Sequence, residues 1–281
     1  MRDKLLLLDF DGTVCLGEDP ILAYAAEVDH ALAHRGLAHQ LPAPVVEIVT
    51  EALHTDQLLV EAITYDDDGV PTAVSGASEP TDSSEAGTSR AHPVSWPLQD
   101  GYQLTQLLAR QAGLTDEEAG AAYRAGRHAI VARGLGATDL HAPEGLQALL
   151  DQVRESAVVV LITNAPGEAF DPWLKTLGLT TAFDAVINGA RKPLGMPAAV
   201  EQARAVGVQN MDEATMTPAT RILSVGDIWA NDLQPVAEIG GETILLDRFS
   251  TGLGQPTRRV KDFAEAAPLI AHWASSSDAR L

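Results

Sequence analysis

Two carboxylates, Asp9 and Asp11, stand one residue apart where the apolar run LLLL (residues 5–8) ends, and Gly12 follows directly. Both ionise near neutral pH, and like charges a few ångströms apart repel unless a cation or a shared proton lies between them. Other apolar runs end as abruptly. Thr163 and Asn164 follow AVVVLI (157–162), Lys192 comes shortly after DAVIN (184–188), and Asp227 follows RILSVG (221–226) with Asp232 five residues later. Asp9, Asp11, Asp227 and Asp232 supply the oxygen-rich surroundings that Mg²⁺ prefers. With such a cation offsetting the charge, one carboxylate can attack an anionic electrophile while another gives a proton to the leaving oxygen. Thr163 can hydrogen-bond a phosphoryl oxygen, and the Lys192 ammonium can oppose the charge spread over such oxygens. Phosphoryl transfer is the chemistry these residue types fit.

Elements of regular structure have to bring these positions together. The four runs read as buried strands, and segments of helical period lie among them: PEGLQALLDQV with Pro143 suited to a first turn, PWLKTLGL, PAAVEQARAVG and NDLQPVAEIG. Strands alternating with helices imply βαβ units, and near-continuous apolar strands imply a parallel sheet covered on both faces. In such a sheet ligands bind at the carboxyl ends of the strands, so residues just past those ends converge on one crevice. On an extended strand residues i and i+2 share a side, which places Asp9 and Asp11 together unless the chain has begun the turn that Gly12 permits.

One interval breaks the βαβ rhythm. Residues 14–140 stand between the first strand and the helix after His141, far more than one crossover needs. The expected organisation is therefore a core of residues 1–13 and 141–281, with residues 14–140 inserted as a helical unit. Ile21, Ala25, Val28 and Leu32 fall on one helical face, and VVEIVTEALHTDQLLVEAI carries apolar spacing on to residue 63. Helical spacing returns in GYQLTQLLARQAGL and TDEEAGAAYRAGRHAIVARGLG, where Thr115 and Glu118 suit a capping box. Residues 66–95, rich in Asp, Ser, Gly, Thr and Pro, read as a disordered loop.

Composition narrows the field. A chain of 281 residues, 46% hydrophobic, can bury an enzyme-sized core, and its formal net charge of −20 would repel nucleic acid and anionic membrane surfaces alike. The single cysteine, Cys15, excludes a disulfide framework and fits a reducing compartment. The apolar run before Asp9 is too short for a signal segment, and no run approaches the ~20 residues of a membrane span. A soluble, cytoplasmic protein acting on a small phosphorylated metabolite is expected, with no nucleic-acid or membrane partner.

DFDGT (9–13), TN (163–164), KP (192–193) and GDIWAND (226–232), in that order, resemble the four motifs of the haloacid dehalogenase superfamily. The resemblance implies a Rossmann-like core, a helical cap of type 1 inserted after the first motif, and an Mg²⁺-dependent aspartyl-phosphate mechanism. It makes Asp9 the nucleophile and Asp11 the general acid and then base. Thr163, Lys192 and Asn164, the last through its backbone N–H, become the phosphate holders, and Asp227 and Asp232 become metal acids. Members that release halide from carbon lack the Mg²⁺-binding phosphotransferase arrangement, to which Asp11 belongs. A phosphonate-cleaving relative would need a cap lysine, and residues 14–140 contain none. The expected activity is hydrolysis of a phosphomonoester. A sugar-phosphate mutase of the same superfamily is the alternative. A non-enzymatic phospho-acceptor resembling receiver domains fits less well, because receivers place their lysine last.

Other residues read as ordinary. His30 and His34 are four apart on a helix without a matching carboxylate motif, so surface polarity explains them. Arg124, Arg127 and His128 read as a solvated helix face, Cys15 as a small packed side chain, and Trp229 as ordinary packing rather than a rim of the crevice.

Overall fold

The computed structural model describes residues 2–60, 98–209, 221–276 and 281, so the loop expected over 66–95 lies outside the described residues. The chain divides into two compact units, Met1–Gly17 with Arg133–Leu281, and Glu18–Ala132. The division falls beyond the expected limits of 13 and 141. Leu16 and His141 form an antiparallel bridge, each N–H donating to the other's carbonyl at 2.9 and 3.1 Å, which ties both connecting segments to the first unit.

The first unit carries a six-stranded parallel sheet in the order β3-β2-β1-β4-β5-β6. Its strands are β1 (Lys4–Leu8), β2 (Ala157–Ile162), β3 (Ala185–Ile187), β4 (Arg221–Gly226), β5 (Glu242–Leu246) and β6 (Arg258–Val260). Every residue of β1 and β2 is buried, as expected for central parallel strands covered on both faces. Alternate residues Leu5 and Leu7 of β1 and Val158, Val160 and Ile162 of β2 pack with Met196, Ala199, Val200 and Ala203 of α7 (Met196–Gln209). Each fully buried aliphatic side chain of this kind stabilises the fold by about 1.5–3 kcal/mol.

Local differences from the sequence expectations have local causes. Gly145 has φ 76°, outside the right-handed helix, so α5 runs Leu146–Val153 and Pro143 lies before it rather than in its first turn. Between β2 and β3 stands α6 (Asp171–Thr176). Residues 229–233 form a π-helical turn leading into the short α8 (Gln234–Glu238). β5, β6 and α9 (Phe263–Ser275) extend the unit beyond the last segment assigned from periodicity.

The second unit consists, among the described residues, of helices: α1 (Asp19–Arg35), α2 (Val45–His54), α3 (Gly101–Gln111) and α4 (Asp116–Arg133). Ile21, Ala25, Val28 and Leu32 form the buried face of α1. The Asp29 carboxylate of α1 accepts the Val45 and Val46 N–H groups at 2.7 and 3.0 Å, satisfying donors that the first turn of α2 leaves open. α2 stops at His54, and Asp56 adopts a left-handed φ of 51°. Thr115 and Glu118 form the reciprocal cap: Glu118 accepts the Thr115 N–H at 2.8 Å and the Thr115 hydroxyl accepts the Glu118 N–H at 3.2 Å. No described helix is long and apolar enough to cross a membrane.

Candidate active site

Strand order reverses between β1 and β4, the switch point at which open parallel sheets form their ligand crevice. Register puts Leu8 opposite both Leu161 and Val225, so β1 ends one residue short of β2 and β4. The residues directly beyond are Asp9, Thr163 after Ile162, and Asp227 after Gly226.

Asp9, Asp227 and Asp232 each contribute a carboxylate oxygen to a group whose members lie within 4.8 Å of one another. Lys192 reaches the same place. Its ammonium donates to Asp9 Oδ1, to Asp232 Oδ1 at 2.6 Å and to the Ile162 carbonyl at 3.0 Å, which occupies all three of its protons. Side-chain exposure is 3% for Lys192, 3% for Asp232 and 11% for Asp9. Burial pushes the Asp9 carboxyl up to about 8, against the opposing pull of Lys192 and with the help of the Asp232 and Asp11 charges. For Lys192 burial acts downward, but the Asp232 and Asp9 carboxylates outweigh it and hold the ammonium above its ordinary range. Three acids facing one buried cation leave an excess of negative charge, and all available ligands are oxygens. This donor set fits a hard divalent cation.

The surroundings fix these groups. Gly12 has φ 78°, and a Cβ there would overlap the Asp227 carboxylate, so glycine serves both the turn and the close approach. A Cβ on Gly226 would lie 2.5 Å from the Asp232 Cβ. Asp232 Oδ2 accepts the Ile228 N–H at 3.0 Å, and the Ser224 hydroxyl of β4 donates to the Asp232 carbonyl at 2.8 Å. Sequence reasoning missed Ser224; the signal available was a lone hydroxyl in the otherwise apolar RILSVG. The Thr163 hydroxyl accepts the Ala165 N–H at 3.0 Å and keeps its own proton for donation.

Asp11 is not part of the three-acid group. It was expected beside Asp9 as a metal carboxylate through strand alternation, but alternation ends with Leu8. The Phe10 carbonyl then accepts the N–H groups of Thr13, Val14 and Cys15 at 3.3, 3.0 and 2.8 Å, and the chain turns so that Asp11 pairs as an isolated bridge with Cys15. Asn164, expected to hold phosphate through its backbone, turns its side chain onto Lys192: Oδ1 accepts the Lys192 N–H at 2.6 Å and Nδ2 donates to the Lys192 carbonyl at 3.1 Å. The Lys192–Pro193 peptide is cis.

Among the residues read as ordinary, His30, His34, Arg124 and His128 are exposed and Cys15 is buried. Arg127 departs from the solvated face expected for it. It is buried, with its guanidinium 5.8 Å from the Tyr123 ring centroid, next to a cluster in which Tyr24, Tyr102 and Tyr123 contact one another. Trp229 packs against the backbone of Gly254, which leaves no room for a Cβ there.

With this geometry established, similarity to known proteins gives the class. A sequence model of the family described as haloacid dehalogenase-like hydrolase matches residues 4–240, and the chain belongs to that family of hydrolases. A search of curated protein sequences returned no match. Among solved structures, one described as a predicted phosphoglycolate phosphatase from Haemophilus somnus 129pt shares 17% identity with a TM-score of 0.51, over 96% of this chain and 98% of that one. A hydrolase of the haloacid dehalogenase-like family from Streptococcus pneumoniae shares 12% identity with a TM-score of 0.52, over 96% and 99%. A haloacid dehalogenase from Pseudomonas syringae pv. tomato shares 16% identity with a TM-score of 0.44, over 96% and 99%. The first two likenesses, at these identities, carry the fold, an α/β core around a parallel sheet, and not the reaction.

Proposed function

We propose that the protein is an Mg²⁺-dependent phosphatase that hydrolyses a small phosphomonoester through an aspartyl-phosphate on Asp9. The observation that carries this reading is the Lys192 ammonium held between Asp9 and Asp232, with Asp227 completing an all-oxygen acid group at the switch point of the sheet. Asp9, Asp227 and Asp232 would hold the cation, which when bound would offset the carboxylate charge that otherwise repels an anionic substrate.

The chain's own groups then divide the work. Lys192 fixes Asp9 Oδ1, which leaves Oδ2 to attack phosphorus. As the new bond forms, the bond from phosphorus to the substrate oxygen breaks, and Asp11 gives that oxygen its proton. The Thr163 hydroxyl donates to a phosphoryl oxygen while the Lys192 ammonium opposes the spreading charge. Asp11, now ionised, takes a proton from water as the water attacks phosphorus, releasing inorganic phosphate and restoring Asp9. The helical unit inserted after the first motif would select the substrate. The presence of Asp11 supports phosphoryl transfer over halide release, and the lone Cys15 supports a reducing, cytoplasmic setting.

A panel of phosphorylated metabolites and haloalkanoic acids, assayed with and without Mg²⁺, tests this directly. Phosphate release that depends on Mg²⁺ is expected. Halide release without the metal would overturn the reading, and isomerisation of a sugar phosphate without phosphate release would favour the mutase.

A further inference from the structure

The pairing of Asn164 with Lys192 has the form of a clasp. The carboxamide faces the backbone of a residue 28 positions away and meets its N–H with an oxygen at 2.6 Å and its carbonyl with a nitrogen at 3.1 Å. Only one orientation of the amide satisfies both contacts, since exchanging nitrogen and oxygen would set donor against donor and acceptor against acceptor. Lys192 lies in the segment after β3, whereas Asn164 stands two residues beyond β2. Thr163 ties the two strand ends as well, its N–H donating to the Ile187 carbonyl and its carbonyl accepting the Ala190 N–H, both at 2.9 Å. Asn164 therefore continues the interstrand pairing by one further step with a side chain, at the residue whose ammonium joins Asp9 to Asp232.

We infer that Asn164 is a positioning residue for Lys192, acting through its backbone, and that it supports anion binding by fixing where the ammonium sits rather than by contacting the anion itself. The inference rests on the phosphatase reading for its link to phosphate, but the clasp itself has an independent readout. A rigidly based lysine can span two carboxylates and a carbonyl at once. If its backbone can shift, the same ammonium samples several geometries and loses part of its hold on all three. Serine or alanine at 164 would leave the Lys192 N–H and carbonyl to water and restore that freedom. Aspartate would keep an acceptor for the N–H but set a carboxylate against the carbonyl, so it should behave like alanine rather than like the native residue.

The test uses the full chain and two measurements. The chain has only four lysines, Lys4, Lys175, Lys192 and Lys261, so the Lys192 ammonium can be followed by ¹⁵N NMR of side-chain amines. In Asn164→Ala and Asn164→Asp the Lys192 signal should shift or broaden while that of Lys4, which is buried against three carbonyls at the far end of β1, stays in place. An unchanged Lys192 signal would overturn the clasp whatever the protein hydrolyses. The second measurement is the affinity for inorganic phosphate in the presence of Mg²⁺, compared in a double-mutant cycle with Lys192→Met. Asn164→Ala alone should weaken phosphate binding about tenfold, the worth of two partly exposed hydrogen bonds. In the Lys192→Met background the same change should have no further effect. Equal losses in both backgrounds would mean that Asn164 touches the anion, and would overturn the inference. If Lys192→Met does not fold, Asn164→Asp decides the same point: a loss matching that of alanine supports the clasp, and native affinity refutes it. Failure of the wild-type chain to bind phosphate at all would count against the phosphatase reading, with the NMR result standing separately.

Discussion

One residue beyond β1 and one residue beyond β5 the chain places an aspartate, and the two have opposite fates. Asp247 is saturated. Its Oδ1 accepts the Thr251 N–H and hydroxyl at 2.8 and 2.9 Å, and its Oδ2 accepts the Gly252 N–H at 3.0 Å and the Arg259 guanidinium at 2.7 Å. Burial alone would push its carboxyl up, but these donors together hold it below the ordinary range. Arg259 also donates to the carbonyls of Gly252, Leu253 and Gly254, so the whole set closes one loop. Asp9 has one charged donor, Lys192, which it shares with Asp232, and burial raises it to about 8. The same side chain at equivalent strand ends becomes a loop fastener where donors outnumber its oxygens and the proposed nucleophile where acids outnumber the cation.

The largest expected effect falls on the unsaturated member. Asp9→Asn should reduce turnover by at least about 10⁴-fold, because it removes the proposed nucleophile while leaving Lys192 paired with Asp232. Comparable hydrolysis by this variant would place the chemistry elsewhere. Next comes Asp11→Asn, which should slow both formation and breakdown of the intermediate by about 10²- to 10³-fold, as loss of a general acid–base does. Rapid-quench measurement of the two phases checks it, and normal rates in both would remove Asp11 from proton transfer.

A smaller effect distinguishes the two regions by ligand rather than by rate. Mg²⁺ at about 100 times its dissociation constant should stabilise the wild-type fold by about 2.7 kcal/mol. Asp227→Asn should abolish most of the rise in Tm, whereas Asp247→Asn should leave it intact. The smallest effect belongs to the saturated member: Asp247→Asn should cost about 1–2 kcal/mol at neutral pH through weakened charge-assisted hydrogen bonds, with little change in turnover. Because the folded-state carboxyl of Asp247 is lowered, its contribution is complete above the unfolded value near 4 and is lost as pH falls through the folded value. Denaturant melts of wild type and variant should therefore converge in acid; a gap that persists there would mean the loop is held by something other than the charge.

The sheet and most of the site were legible because both follow from short-range pattern. Leu5–Leu8, Ala157–Ile162 and Arg221–Gly226 are apolar runs that end at polar residues, and a parallel sheet gathers those endings at one edge. Asp11 was less legible, because period-2 alternation holds only while the strand lasts, and three N–H groups converging on the Phe10 carbonyl end it one residue too soon. β5, β6 and α9 lie past the last segment assigned from periodicity. Arg127 was misread because helical period gives a face but not what packs on it, and Tyr123 supplies a ring for the guanidinium.

By itself the sequence determined which residues stand at strand ends, that three acids and one lysine would be brought near one another, and that the chain belongs with the haloacid dehalogenase-like hydrolases. Only the tertiary structure decided how many donors each acid meets. Asp9, Asp227 and Asp247 each stand one residue beyond a buried strand, and strand pattern alone does not tell them apart. The partners of Asp247 lie within twelve positions of it, whereas Asp9 and Asp232 meet Lys192 from 183 and 40 positions away, with Asn164 behind it. Hydrophobic pattern acts along the chain at fixed period, whereas the electrostatics of a buried carboxylate are set by whatever folding brings within a few ångströms of it.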